Sequence, residues 1–373
     1  MRDDFEFYCP TKIFYRTDSI LCVGKIVRDY GFKRVYIVSG KSGVKLNILS
    51  DVEKSFIDNK IEFKDHIGVD YNPDISSVLE MKKECLDFKP EMILAIGGGS
   101  IIDASKLLAH LYFYTGNPLD FNKNVVKPIH ALKIATILTL SASGSEMSSS
   151  CVISDRKTGF KGGFNSETNY PLFSIINPKY TYSVSKIQTS YGLVDMFSHS
   201  FERFYSSSSE IEPCDSLSLA IMKSIVNVSD RVLKKSDDYQ ARRAMMLLGS
   251  LSHNGIGEFG KRKRFVVHKA EHYLSGKYPS LAHGQGIALL LDKFLILNRE
   301  NKEIYKKTLL LGKECFSLND CSFDDVVPLL DVELLDVVEL VDVVALLVVL
   351  GVLDSSRLLV VSCFLVDNND DKI

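Results

Sequence analysis

Two stretches in the second half of this 373-residue chain combine histidines with a carboxylate. Asp195 and His199 lie in GLVDMFSHSFE, and His268, His272 and His283 lie in VHKAEHYLSGKYPSLAHG. Within each stretch two of these residues are four positions apart, so on a helix they share one face. One carboxylate and several imidazoles suit Fe(II) or Zn(II). The spacing therefore indicates one divalent metal site, and by spacing alone the three later histidines are equal candidates.

The other four histidines lack comparable neighbours in the sequence. They are His66, His110, His130 and His253. A lone histidine is more often a hydrogen-bonded core residue than a metal ligand, so we interpret these four as structural.

A glycine turn, Gly97-Gly98-Gly99-Ser100, falls between a predicted strand and a predicted helix. Glycines let a diphosphate approach the backbone, and a helix N-terminus offers free N–H groups. The turn is not the G-x-G-x-x-G of the ordinary dinucleotide fold, and a tight structural turn is the alternative. Asp103 and Lys106, in the first helical turns, favour the nucleotide interpretation.

Nucleotide choice is usually made at the end of an earlier strand, here the stretch VSGKSGVK at residues 38–45. A carboxylate there would bind a free ribose hydroxyl. Instead, Gly40 is followed by Lys41, Ser42 and Lys45, which suit a phosphate. The stretch therefore predicts NADP(H), with NAD(H) as the alternative.

The secondary structure that must position these residues changes near residue 180, so the chain divides there into two domains. Residues 1–180 alternate strands (33–39, 61–67, 92–96, 131–138) with helices (46–59, 75–88), which is typical of a parallel α/β sheet. Short strands at 151–155 and 173–176 are predicted around a polar hairpin. Residues 181–373 have helical periodicity, with helices at 191–205, 215–233, 239–257, 266–274 and 286–297.

Composition excludes several classes of function. A hydrophobic share of 46%, a charged share of 25% and a net charge of −2 indicate a globular protein without a field for nucleic acid. The basic run Lys261–Arg264 is interpreted as a solvated turn. The eight scattered cysteines and the absence of an export signal favour reduced thiols in the cytoplasm. Acids interrupt the Val/Leu/Asp-rich tail at 324–373, which predicts amphipathic helices rather than a membrane span.

Four segments together resemble the iron-containing (group III) alcohol dehydrogenases, in the NADPH-dependent butanol dehydrogenase and aldehyde reductase branch. The segments are GGGSIIDASK, TLSASGSEMSSSCVIS, FSIINPKYTYSVSKIQTSYGLVDMFSHSFE and HKAEHYLSGKYPSLAHG. The resemblance extends over roughly residues 5–315. It implies an α/β dinucleotide-binding domain, an all-helical metal domain with the cofactor in the cleft between them, and a homodimer or higher homo-oligomer.

The resemblance also implies a role for individual residues. Asp195, His199, His268 and His283 match the family's metal ligands, and His272 matches a histidine proposed to relay protons. The implied cofactor residues are Gly98, Gly99 and Ser100 at the pyrophosphate, Asp103 beside them, Thr139 and Leu140 on the nicotinamide side, and Lys161. The family often has Trp at or near Phe265, whereas this chain contains no Trp.

The implied activity is hydride transfer between a nicotinamide and a primary alcohol or aldehyde, such as butanol or butyraldehyde. One alternative is a metal-dependent lyase or cyclase resembling 3-dehydroquinate synthase, which would need basic residues for a phosphorylated substrate. The sequence around Asp195 and His199 shows none. A glycerol dehydrogenase-like zinc enzyme would prefer NAD. A non-catalytic scaffold with the same fold is favoured only by the unusual tail.

Overall fold

The computed structural model describes residues 5–206, 212–261 and 265–330. The tail beyond residue 330, with its predicted amphipathic helices, lies outside the described residues. The elements of the first half, in chain order, are β1 (Lys12–Tyr15), α1 (Val23–Asp29), β2 (Arg34–Ser39), α2 (Lys41–Lys45), α3 (Ile48–Asp58), β3 (Glu62–Ile67), α4 (Ile75–Phe88), β4 (Met92–Gly97), α5 (Gly99–Leu111), β5 (Lys133–Leu138), β6 (Ser150–Asp155), β7 (Phe160–Asn165) and β8 (Phe173–Ile176).

Six of these strands form one sheet in the order β1-β8-β5-β4-β2-β3, and every pairing in it is parallel. From β2 the chain moves outward to β3, and it then returns to β4 on the opposite side of β2. Strand order therefore reverses between β2 and β4. Open α/β sheets bind ligands beyond the carboxyl ends of strands at such a reversal. The predicted nucleotide segments follow β2 and β4, at this position.

Both faces of the sheet are buried, which explains the continuous apolar runs in its strands. In β2, Val35 and Ile37 face the core that contains α1 and α3. Tyr36 and Val38 face the opposite core, which contains α4 and α5. The alternating side chains of one strand thus contribute to two separate cores.

The polar stretch predicted as a hairpin between two strands contains a strand of its own. β7 pairs antiparallel with β6 in a separate two-stranded sheet, while β8 joins the main sheet. The two predicted short strands are confirmed as β6 and β8, whereas β7, within the polar stretch, was not predicted. Gly162 and Gly163 lower the strand propensity of β7, which hid it in the sequence.

The second half is helical throughout its described residues after β8, apart from connecting turns. Its helices are α6 (Lys186–Tyr205), α7 (Glu212–Lys234), α8 (Tyr239–His253), α9 (Val266–Lys277), α10 (His283–Leu297), α11 (Lys302–Phe316) and the single turn α12 (Phe323–Val326). These helices share a third core, separate from the two cores of the sheet.

Helix ends were the least accurate sequence predictions. α6 begins at Lys186, five residues before the predicted start; Lys186, Ile187 and Gln188 are exposed, so the helix starts without a buried apolar side chain. α8 ends at His253, not at residue 257, since Asn254 is followed by Gly255 at φ +91°. α10 begins at His283 despite Gly284 and Gly286, and α11 was not predicted.

The predicted fold class is confirmed: a parallel α/β sheet followed by an all-helical region. The domain boundary near residue 180 stays a prediction; β8 ends at Ile176 and α6 begins at Lys186. Of the helices in the described residues, none combines the length and apolar character that crossing a bilayer requires.

The two halves approach closely where α9 passes the turn between β6 and β7. A Cβ at Gly276 would lie 2.4 Å from the carbonyl oxygen of Gly159, which itself has φ +70°. The atom that a Cβ at Gly276 would meet belongs to the backbone, so no flexible side chain could move to make room for it. Gly276 thus sets how closely α9 packs on the hairpin.

We expect Gly276→Ala to destabilise the protein by about 1–3 kcal/mol through this overlap. Helix propensity alone predicts instead that alanine would stabilise the protein, by about 0.5–1 kcal/mol. Urea unfolding of the metal-free protein measures the difference, with the exposed α9 substitution Lys269→Ala as control. A midpoint for Gly276→Ala at or above that of the unsubstituted protein would contradict the close approach.

Candidate metal centre

One face of α6 carries the polar groups of the candidate site. Asp195, His199 and Glu202 follow one another at intervals of four and three residues, so they share a face. All three are buried, with exposures of 4%, 3% and 5%. Glu202 was not identified from the sequence, although its spacing from His199 is that of a helical neighbour.

Both ends of α6 are capped. Ser185 precedes the helix, and its hydroxyl accepts a hydrogen bond from the backbone of Gln188 at 3.3 Å. At the other end, Lys261 donates to the Arg203 carbonyl at 3.1 Å, and Lys307 donates to the Phe204 carbonyl at 2.7 Å. Cations stabilise a helix C-terminus.

The prediction that the basic run is solvated is wrong for Lys261, which is 7% exposed.

Three imidazoles converge on one carboxylate oxygen. Asp195 Oδ1 lies 3.8 Å from His199 Nε2, 3.6 Å from His268 Nε2 and 3.6 Å from His283 Nε2. These separations exceed a hydrogen bond. They are close to the roughly 3.3–3.6 Å between ligand atoms that surround a tetrahedral ion at about 2.0–2.2 Å. The four residues selected by the resemblance thus come together in space.

Two of the polar atoms at this point of convergence are unsatisfied within the part of the chain that the structure describes. Asp195 Oδ1 and His268 Nε2 are buried and have no hydrogen-bond partner among the residues that the structure describes. Buried polar atoms are normally satisfied, because an unsatisfied one costs about 1–3 kcal/mol. A divalent cation would satisfy both atoms at once. The donor set of one carboxylate and three imidazoles fits Fe(II) or Zn(II).

Glu202 orients His268. The imidazole Nδ1–H donates to the Glu202 carboxylate, which leaves Nε2 facing Asp195. Glu202 also accepts backbone N–H groups at the start of α9, from Val267 at 2.7 Å and His268 at 3.2 Å. Burial lowers the pKa of His268, but Glu202 and Asp195 outweigh burial and raise it to about 9.

Glu271 plays the same part for His283. His283 Nδ1–H donates to Glu271, a residue with 0% exposure that was not identified from the sequence. Lys161 of β7 also reaches this carboxylate, at 3.2 Å. Burial raises the pKa of Glu271, but His283 and Lys161 outweigh burial and lower it below its ordinary value.

Lys161 therefore contacts α9, the helix that carries His268. Its ammonium donates to Ser275 Oγ at 2.8 Å and to Asn72 Oδ1 at 3.3 Å, in addition to Glu271. The cofactor role implied for Lys161 by resemblance stays a prediction.

His272 lies one turn beyond His268 on α9, with its ring 5.7 Å from that of His283. Burial, followed by the positive charge of Lys161, lowers the pKa of His272 well below its ordinary value. The ring is therefore neutral near pH 7, so it can accept one proton while it releases another. Its proposed role as a proton relay stays a prediction.

The candidate cofactor residues meet at the reversal point of the sheet. Gly40 and Thr139 each donate a backbone hydrogen bond to β4, to Ile96 at 2.9 Å and to Gly97 at 3.1 Å. The hydroxyls of Ser42 and Thr139 lie 3.1 Å apart. The exposed Lys41 starts α2 at the same edge.

The glycine turn begins α5, and its close contacts explain its composition. A Cβ at Gly98 would lie 3.0 Å from Leu140 Cβ, and one at Gly99 would lie 2.3 Å from Ser143 Oγ. Gly98 and Gly99 therefore allow the segment after β5 to lie against the turn. Ser100 follows in the first turn of α5, whose free N–H groups favour a phosphate.

Asp103 and the fully buried Lys106 fix the loop after β5 instead of pointing at the turn. Asp103 accepts from Ser145 Oγ at 2.6 Å and from the Val152 N–H at 3.0 Å. Lys106 donates to the carbonyls of Ser145 and Ser150 at 2.8 and 2.7 Å. Burial raises the pKa of Asp103. Its predicted place beside the pyrophosphate stays untested.

His253, interpreted from the sequence as an isolated histidine, lies against the candidate site. Its ring centroid is 4.0 Å from that of His199. Phe265 lies edge-on to both rings at 6.2 Å. No local spacing could have revealed this contact, because His253 and His199 belong to different helices.

The comparisons with known proteins identify the family of the chain. The iron-containing alcohol dehydrogenase family model matches residues 10–178, and the C-terminal model of the Fe-containing alcohol dehydrogenase family matches residues 189–321. NADH-dependent butanol dehydrogenase A of Clostridium acetobutylicum is 37% identical over 297 residues, 79% of this chain and 76% of that protein. The chain belongs to the iron-containing alcohol dehydrogenase family.

Other relatives in this family differ in cofactor. NADPH-dependent aldehyde reductase YqhD of Escherichia coli is 27% identical over 87% of this chain and 83% of its own length. The crystal structure of NADH-dependent butanol dehydrogenase A from Thermotoga maritima has a TM-score of 0.83 and 30% identity. That similarity covers 88% of this chain and 82% of the other.

We expect Glu271→Gln to weaken divalent metal binding by roughly 10–100-fold, because His283 loses the carboxylate that holds its Nδ1–H. Competition between the protein and a chelator for Co(II) or Zn(II) gives the dissociation constant. Glu300→Gln makes the same chemical change at an exposed position and serves as control. Equal affinities in the two variants would show that Glu271 does not orient a ligand.

Proposed function

We propose that this protein is a metal-dependent, NAD(P)(H)-linked alcohol dehydrogenase and aldehyde reductase. The main supporting observation is the buried Asp195 oxygen, which has three imidazole nitrogens at 3.6–3.8 Å and no hydrogen-bond partner among the described residues. A structural core would not leave such an oxygen unsatisfied. Membership of the iron-containing alcohol dehydrogenase family supports the same chemistry.

A bound divalent metal would supply Lewis acidity toward a carbonyl oxygen, and a reduced nicotinamide would supply the hydride. Asp195, His199, His268 and His283 would hold the metal. Glu202 and Glu271 hold the Nδ1–H of their histidines, so that each Nε2 faces Asp195.

His272 is the group that we propose to pass a proton to the substrate oxygen during aldehyde reduction, and to receive it during alcohol oxidation. Its low pKa keeps the ring neutral, with one nitrogen protonated and the other able to accept. A neutral ring can therefore transfer a proton in either direction of the reaction.

The proposed substrates are small primary alcohols and their aldehydes, such as butanol and butyraldehyde, as in the names of the C. acetobutylicum and T. maritima relatives. The proposed metal is Fe(II), which the family description names, and Zn(II) is the alternative that accepts the same ligands.

The proposed nucleotide is NADP(H). Its support is Lys41, exposed at the start of α2 beside Gly40 and Ser42, where a 2′-phosphate would find a cation. The relatives include both NADH-dependent and NADPH-dependent enzymes, so NAD(H) is the alternative.

The direct test is aldehyde-dependent oxidation of NADPH and of NADH by protein loaded with Fe(II) or Zn(II). We expect turnover of butyraldehyde with a higher kcat/KM for NADPH than for NADH. His268→Ala should lower the rate by roughly a hundredfold or more, since it removes a proposed ligand. His130→Ala, at an exposed position, should leave the rate unchanged.

The outcomes separate the parts of this proposal. A higher kcat/KM with NADH overturns the NADP(H) assignment alone. Stoichiometric metal without turnover of any aldehyde or alcohol overturns the activity. Protein that binds no metal favours the non-catalytic scaffold.

We also propose a cytoplasmic homo-oligomer. Seven cysteines of the described residues are free thiols, which suits a reducing compartment. β1 lies at an edge of the main sheet, and an unpaired strand edge invites pairing. Nearby in sequence, Phe5 and Phe7 are 56% and 49% exposed, and both pack on Phe259. Exposed apolar groups of this kind mark interfaces.

We expect replacement of both Phe5 and Phe7 by Ser to shift the protein toward monomer, because the apolar contact surface is lost. Sedimentation velocity or light scattering measures the mass. Phe113→Ser, at another phenylalanine with 55% exposure, is the matched control. A mass unchanged by the double substitution would place the interface elsewhere.

A further inference from the structure

His199 differs from the other candidate ligands in how its ring is held. The Nδ1–H groups of His268 and His283 donate to Glu202 and Glu271. His199 Nδ1 is buried and has no hydrogen-bond partner among the described residues. Metal-binding histidines almost always gain their orientation from a hydrogen bond at the second nitrogen. Another contact must therefore fix the His199 ring.

Two imidazole rings supply that contact. His268 stacks on His199 with ring centroids 4.5 Å apart and an interplanar angle of 18°. His253 is closer, at 4.0 Å and 39°. Aromatic pairs usually lie about 4.5–7 Å apart, so the His253 contact is unusually tight. His268 is itself a candidate ligand, and Phe265 lies edge-on to His199 at 6.2 Å, so His253 is the closer of these two rings from outside the ligand set.

His253 is held in place by a buried arginine. Arg203 donates to His253 Nδ1 at 3.4 Å and lies 4.9 Å from the centre of the Phe265 ring. A guanidinium has only donors, so Nδ1 of His253 accepts and the neutral ring carries its proton on Nε2.

Arg203 in turn is fixed by both helices. It donates to the carbonyl of His199 at 2.9 Å, to that of Ser252 in α8 at 2.8 Å, and to Glu258 at 3.1 Å. The same guanidinium thus ties the backbone of α6 to the end of α8, where His253 lies. The His253 and His199 rings, 4.0 Å apart, lie on the two helices that this guanidinium joins.

We propose that His253 is a positioning residue for the metal centre: its ring packs against His199, whose Nδ1 has no partner among the described residues, and holds that imidazole with Nε2 toward Asp195. This role rests on the proposed metal site. It needs an aromatic ring at position 253 and does not need the hydrogen bond from Arg203.

Three substitutions test separately the aromatic ring of His253 and the hydrogen bond that it accepts from Arg203. His253→Phe keeps a ring and removes the acceptor for Arg203. His253→Asn keeps an acceptor near the place of Nδ1 and removes the ring. His253→Ala removes both. His130→Ala deletes an exposed histidine whose ring lies 6.4 Å from Phe113, and it controls for adventitious surface binding.

The measurement is the dissociation constant for Co(II) or Zn(II) by chelator competition in the full chain, with the visible spectrum of the Co(II) form as a readout of ligand geometry. We expect His253→Ala and His253→Asn to bind metal about five- to tenfold more weakly, with an altered Co(II) spectrum. His253→Phe should remain within about twofold of the unsubstituted protein, as should His130→Ala. Thermal unfolding of each metal-free variant separates a loss of folding from a loss of affinity.

Wild-type affinity in His253→Asn, or in His253→Ala, would overturn the stacking role. Affinity in His253→Phe as weak as in His253→Ala would overturn it as well. Failure of the unsubstituted protein to bind metal would instead overturn the proposed metal site itself, which keeps the two proposals distinguishable.

Discussion

The buried oxygen of Asp195 is the constraint on which the arrangement of the helical half depends. A carboxylate in an apolar interior is costly unless it is paired or bound to a metal. In this protein three imidazoles approach that oxygen without forming hydrogen bonds to it. The capped ends of α6 and the glutamates behind His268 and His283 all stabilise this geometry. A divalent cation at this point would satisfy the Asp195 oxygen and the His268 Nε2, which have no hydrogen-bond partner among the described residues.

The two orienting glutamates are anchored differently. Glu202 is held within the helical half, by backbone N–H groups at the start of α9. Glu271 is held by Lys161, which comes from β7 of the sheet half and also contacts Asn72. The position of His283 therefore depends on how the two halves are packed, whereas that of His268 does not.

The segment that follows Thr139 connects the candidate nucleotide edge of the sheet to α6 and α8. The Ser141 hydroxyl donates to the Met245 carbonyl of α8 at 2.8 Å. A Cβ on Gly192 of α6 would lie 2.4 Å from the Ser141 carbonyl oxygen, so α6 also packs closely on this segment. Ser250 of α8 donates to the buried Glu146 in the same loop. Because this loop also lies against the glycine turn, a nucleotide at the turn and a metal on α6 would share one rigid support.

The sequence by itself determined the alternation of strands and helices in the first half, the glycine turn and the i, i+4 pairs Asp195/His199 on α6 and His268/His272 on α9. These features depend on local periodicity and on spacing within one helix. It did not reveal β7, whose glycines obscure its strand character, or the buried position of Lys261. Glu202 and Glu271 were detectable in principle, since each lies three residues from a candidate ligand on its own helix. Only the tertiary structure decided that His253 packs on His199 and that Lys161 reaches Glu271. Those contacts join residues more than fifty positions apart, and packing between elements, not local pattern, brings them together.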